Sequence, residues 1–140
     1  MIAEKTFDQI TVGDKAQFEA VIDDSLVQTF SDFSGDHNSL HTDAVYAETT
    51  PLGACVAHGM LGGAFFSRLV GMYLPGKYCL YLSQSLSFRK PVRIGTKVVV
   101  SGTVIQKVDA FHTLRIVTEI RDLQTDDLFT DGEAVVRVLL

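Results

Sequence analysis

The stretch from Met60 to Leu74 sets the terms for the whole chain. Met60, Leu61, Ala64, Phe65, Phe66, Leu69, Val70, Met72 and Leu74 spread apolar side chains around the full helical wheel, and Arg68 is the only charge. A helix apolar on every face is expected to be buried on every face. Gly62, Gly63 and Gly71 each lower helix propensity by about 1 kcal/mol relative to Ala, so their expected use is close approach of other backbone. Pro75-Gly76 stops the helix. No apolar run in the chain reaches the length of a membrane span. The rest of the sequence therefore has to wrap this helix.

The wrapping reads as strand. Ala16, Phe18, Ala20 and Ile22 alternate with polar residues before the helix. After it, Leu80 to Phe88 alternates, with Leu80, Leu82, Leu86 and Phe88 on the apolar side and Gln84 falling among them. Lys97 to Val108 follows, with Gly102 as a candidate bulge. His112 to Leu123 comes next, then Leu128 to Leu140, which Asp131-Gly132 is expected to break. Short loops join these last four strands, so they should pair antiparallel in meander-like order. Between the first strand and the long helix, Leu26, Val27, Phe30 and Phe33 recur at helical spacing. Asp24 or Ser25 is the expected N-cap and Gly35 the C′ residue. Asp43 can cap a short helix over Ala44 to Ala47. Phe7 and Ile10 can anchor the leader. The expectation is one α+β domain spanning residues 1–140, a curved antiparallel sheet around one apolar helix.

Composition narrows the function. The chain is 46% apolar and 21% charged, which is globular. Its net charge of −5, with no run of Lys or Arg, argues against nucleic acid as a partner. Met1 to Lys15 carries acids and lacks an apolar signal-peptide core, so a cytoplasmic location is expected, with no membrane partner. Cys55 and Cys79 read as small core residues, not a disulfide framework. There is no phosphate-binding loop, no dinucleotide fingerprint and no Gly-x-Ser-x-Gly elbow.

The chemistry-bearing stretch is Phe33 to Asp43, Phe-Ser-Gly-Asp-His-Asn-Ser-Leu-His-Thr-Asp. Ionised Asp36 accepts a proton, and His41 gives or takes one near neutral pH. His37 and His41 have the spacing of a helical metal pair, but Asn38 stands where a zinc protease has Glu. No metal and no cofactor is expected. His58 reads as a structural hydrogen-bonder at the start of the long helix. Arg89, Lys90 and Arg93 suit either a phosphorylated ligand or a solvated strand end.

Ser34-Gly35-Asp36-His37-Asn38-Ser39-Leu40-His41 resembles the hydratase motif of the MaoC-like (R)-specific enoyl-CoA hydratases. Val56-Ala57-His58-Gly59-Met60-Leu61 resembles their second signature, and Tyr81 to Val92 a third stretch. Gly132-Glu133-Ala134-Val135-Val136 is similar to their last strand. Ser39 departs from the pattern, which usually has proline there. The resemblance implies a hot dog fold, a likeness to homodimers joined at sheet edges, and an acyl-CoA or acyl-carrier-protein thioester as substrate. It implies reversible syn hydration of a trans-2-enoyl-CoA to an (R)-3-hydroxyacyl-CoA. Asp36 and His41 would hold and activate water, the N–H of Gly59 would bind the thioester oxygen, and Ser67 would assist.

That chemistry suits the residues. Water must lose a proton as it attacks the β-carbon, the α-carbon must gain one, and the thioester oxygen carries charge in between. Gly59 opens the long helix, where the first N–H groups have no internal partner and the dipole favours negative charge. Asn38 and Gln84 are the expected substrate-binding side chains. Ser67 is equally readable as a helix serine bonded to a backbone carbonyl. Two rivals remain at this stage: an acyl-CoA thioesterase of the same fold, and a non-catalytic acyl-binding subunit of a heteromeric dehydratase.

Overall fold

The computed structural model describes residues 1–140. Strand β1 (Lys15–Ile22) leads into helix α1 (Asp24–Ser34), then two short helices, α2 (Ser39–Thr42) and α3 (Ala44–Glu48). The long helix α4 runs Gly59–Met72. Strands β2 (Cys79–Gln84), β3 (Ser87–Phe88), β4 (Thr96–Val108), β5 (Thr113–Asp122) and β6 (Leu128–Val138) complete the chain. All pairings are antiparallel, in the order β1-β4-β5-β6-β2, with β3 also on β6. This sheet curves over α4 in the hot dog arrangement. No helix is long and apolar enough to cross a membrane.

The meander holds only for β4, β5 and β6. Strand β2 does not neighbour β4; it lies beside the last strand, so the chain crosses the sheet between Arg89 and Gly95. Short loops could not reveal this, because β2 finds its hydrogen-bonding edge about 50 residues downstream. β6 is continuous through Asp131 and Gly132. Gly132 is there for space: a Cβ at this position would lie 1.8 Å from the Ser85 carbonyl oxygen. Gly102 likewise marks close approach, not a bulge, since a Cβ would meet Leu69 of α4 at 2.8 Å. The register shift in β4 falls instead between Val104 and Gln106.

Helix α4 buries Leu61, Gly62, Phe65, Phe66, Leu69 and Val70 against the sheet and its flanks. Sheet residues Val98, Val100 and Ile120 complete one core cluster; Val104, Leu114, Ile116 and Val136 meet Val70 and Leu74 in a second. Phe7 and Ile10 anchor the leader in that second cluster. The helix is not buried all round, however. Met60, Ala64, Ser67, Arg68 and Met72 form a solvent-exposed face, with the Arg68 guanidinium laid over the Phe18 ring of β1 at 4.1 Å. In α1 the cap is Asp23, whose Oδ1 accepts from the Leu26 N–H at 2.9 Å, one residue before the expected position. Phe33, which shares the helical spacing of Leu26, Val27 and Phe30, is 88% exposed, while Ser31 takes the buried inner position. Gly35 closes α1 with a left-handed φ of 79°.

The alternation in β2 is inverted. Leu80 and Leu82 point outward, 49% and 51% exposed, and Tyr81 turns inward. A register shift between Tyr81 and Ser83 then brings Gln84 to the inner side. There Gln84 accepts from the Tyr81 hydroxyl and donates to Thr118 Oγ1 at 3.0 Å and to the Ser85 carbonyl at 2.8 Å. Burial, with Cys79 adding to it, pushes the Tyr81 phenol up to about 12. Because the protonated form is favoured in the fold, its contribution is whole below the ordinary phenol pKa near 10 and is lost as pH rises from about 10 through 12. In an alkaline titration followed by tyrosinate absorbance, one of the four tyrosines should ionise about two pH units late. Tyr81→Phe should delete that late step and leave the others in place.

Candidate active site

The polar loop is built from local caps. Gly35 turns the chain out of α1, and the Asn38 N–H donates to Asp36 Oδ1 at 3.1 Å. Asn38 Oδ1 in turn accepts from the Leu40 N–H at 2.9 Å, which makes Asn38 the N-cap of α2. Ser39 is then the first helical residue, the position where proline fits without losing a hydrogen bond. A serine in its place leaves the turn intact. Within α2, His41 Nδ1 lies 2.7 Å from the Val56 carbonyl. A carbonyl only accepts, so Nδ1 carries the proton and Nε2 of the neutral ring offers a lone pair.

Residues remote in sequence converge on this loop. Asp36, His41 and His58 each bring one nitrogen or carboxylate oxygen within 4.8 Å of the others. The His41 and His58 rings pack at 3.9 Å between centroids, tilted by 32°. His58 Nε2 is 3.0 Å from the Asp36 carbonyl and 3.2 Å from Ser31 Oγ. Its Nδ1 is buried with no hydrogen-bond partner. The imidazole nearest His41 is therefore His58, not His37, which sits outward, 3.9 Å from Asp32. Two imidazoles and a carboxylate could serve a metal in principle. Here one nitrogen of each ring already donates to a carbonyl, and the free nitrogen of His58 is sealed from solvent. That leaves two outward acceptors, Asp36 and His41 Nε2, which is the inventory of an acid–base site.

His58 is also the N-cap of α4, so Gly59 follows directly. The Gly59 N–H makes no hydrogen bond within the chain. Any Cβ at Gly59 would come within 2.9 Å of the Phe88 ring. A cavity of about 370 Å³ opens beside it, lined by His58, Gly59, Gly62, Phe88, Val92 and Thr130 among others. Arg89 and Lys90 reach its rim but are paired with Asp131 and Asp127 at 2.9 and 3.0 Å, and Arg93 donates to the Leu52 carbonyl. The strand-end reading of these cations is thus the one the contacts support.

Two expected residues lie elsewhere. Ser67 is on the outward face of α4, two turns and about 12 Å of helix rise from Gly59. Gln84 is held in its network with Tyr81 and Thr118. Ser31 and Phe88 were missed. A serine at an inward position of α1 was the available signal for Ser31; for Phe88 the alternation predicted burial, and only the packing puts its ring over Gly59.

Residues 8–125 match the family described as MaoC like domain. The chain belongs to the MaoC-like family. It is 39% identical over 133 residues to an (R)-specific enoyl-CoA hydratase of Aeromonas caviae, covering 92% of this chain and 96% of that one. It is 34% identical over 132 residues to a 3-hydroxybutyryl-CoA dehydratase of Methylorubrum extorquens, covering 94% and 83%. Among solved structures, the R-hydratase PhaJ1 of Pseudomonas aeruginosa superposes with a TM-score of 0.93 at 34% identity, over 98% of this chain and 87% of that one. The MaoC-like motifs at Asp36–His41 and His58–Gly59 are thus carried on a fold shared with these hydro-lyases.

Proposed function

We propose that this MaoC-like chain, acting as a single domain, is an (R)-specific enoyl-CoA hydratase that adds water reversibly and syn to a trans-2-enoyl-CoA. The observation that carries the reading is the pair of acceptors, Asp36 and His41 Nε2, gathered on His58, the residue whose peptide bond carries the free N–H of Gly59. Two acceptors suit the two protons of one water and leave its oxygen lone pair for the β-carbon. Asp36 takes one proton as the C–O bond forms and the C=C bond opens. His41 orients the water and shares the proton. The negative charge passes to the thioester oxygen, where the Gly59 N–H and the N-terminal end of α4 stabilise it. Return of the proton from the same side to the α-carbon completes a syn addition. Asn38 supports the loop that carries both groups. Ser67, on the outward face of α4, and Gln84, held by Tyr81 and Thr118, stand apart from the reacting carbons and take no step in this addition.

The test uses crotonyl-CoA. Loss of the conjugated enoyl absorbance without thiol release, giving the (R)-3-hydroxy product, is the expected result. Thiol release with the enoyl group untouched would make the protein a thioesterase, and tight binding without turnover an acyl-binding subunit.

The quaternary reading is a homodimer. Strand β2 is a sheet edge bearing exposed Leu80 and Leu82, an arrangement that invites a partner strand. Sedimentation equilibrium should give twice the chain mass, and Leu82→Asp should give the monomer. The free Cys55 and Cys79 suit the reducing cytoplasm.

A further inference from the structure

His58 is the one residue that touches every part of the site. Its Nε2 meets the main-chain carbonyl of Asp36, its ring packs against that of His41, and its own peptide bond carries the Gly59 N–H. It is 4% exposed, with Phe30 on its ring at 4.7 Å, so it is almost wholly buried. The Asp36 carbonyl can only accept, which puts the proton of His58 on Nε2. Ser31 Oγ, at 3.2 Å, takes a second share of that proton. Nδ1 is then a buried lone pair with no donor. A side chain chosen only to fill this space would not leave such a group unmatched. What the ring gains for it is a donor aimed at Asp36.

We infer that His58 is a positioning residue: through Nε2–H it holds the Asp36 main chain, and through ring packing it holds His41, so that both acceptors address the same water. This rests on the hydratase reading above. Small displacements of reacting groups are costly, on the order of 10²-fold per ångström, so a residue with no contact to substrate can control kcat.

Two substitutions of similar polarity separate positioning from space-filling. In His58→Gln the side-chain amide nitrogen reaches the place of Nε2 and can donate to Asp36. In His58→Asn it stops near the place of Nδ1, which faces no partner. We expect His58→Gln to keep kcat within about threefold and His58→Asn to lower it by about 30-fold, with KM moved less than about threefold in both. Hydrogen exchange at residues 35–41 should quicken in His58→Asn alone. Equal losses in the two variants, or a change confined to KM, would overturn the inference. ¹⁵N NMR of the unsubstituted protein gives a check that needs neither variant: Nε2–H on His58 and Nδ1–H on His41 are expected, and a proton on His58 Nδ1 would sink the proposal. Exchange and NMR are read without turnover. A chain with no hydratase activity but with both signatures would therefore fail the functional reading and keep the positioning role.

Discussion

Asp36→Asn is expected to lower kcat for crotonyl-CoA hydration by roughly 10²- to 10⁴-fold while KM stays within a few-fold. The amide keeps the Oδ1 that accepts from the Asn38 N–H, so the turn before α2 survives. It loses the ability to take a proton. Because Asp36 is exposed, the variant should melt within a few degrees of the parent. His41→Ala removes the Nε2 acceptor and should cost a similar factor. The double variant should be little worse than either single one, since two groups working on one water fail as a unit. Steady-state turnover on the three proteins decides the matter. Near-normal kcat in Asp36→Asn would remove the carboxylate from the mechanism and with it the present account of the loop.

The second large effect is on stability. Gly132→Ala places a methyl group 1.8 Å from the Ser85 carbonyl oxygen, and the obstacle is backbone, not the end of a flexible side chain. Either β6 or the Ser85–Leu86 link between β2 and β3 must move. That move also disturbs the bond from the Glu133 N–H to Ser85 Oγ at 2.9 Å and the bond from the Ser85 N–H to the Glu133 carbonyl at 3.0 Å. A loss of about 3 kcal/mol is expected. For a chain of this size that is a fall in Tm of about 10 °C, read by calorimetry. Gly71→Ala, with nothing within 4 Å of the added methyl, is the control and should be neutral or mildly stabilising. A Gly132→Ala protein that melts like the parent would show that β6 can yield at this point without loss.

Local signals carried much of the architecture. Alternation in Ala16–Ile22 and in Leu114–Ile120 placed β1 and β5, because side chains at every second position face one way whatever the strand pairs with. Gly35 and Asp43 marked helix ends because their own backbone and side chains do the capping. The apolar length of α4 announced a wrapped helix, and the spacing of Asp36 and His41 announced an acid–base loop. These properties depend on neighbours within one or two turns, so the residues alone were enough to find them.

The rest depends on contacts between distant residues. The place of β2 beside β6, and the register shift that turns Leu80 and Leu82 outward and Gln84 inward, arise from pairing across about 50 positions. Phe33 keeps the helical spacing of the apolar face and is exposed all the same, because periodicity reports which face a residue occupies, not whether anything covers that face. His58 met Asp36 and His41 only because the fold sets the N-terminal end of α4 beside the loop after α1, bringing residues 22 and 17 positions apart into contact. Sequence by itself determined the elements and the reactive side chains, since both are local properties. Tertiary structure alone decided which strand edge is left free and which imidazole steadies the carboxylate, since packing of the whole chain sets distances between remote groups.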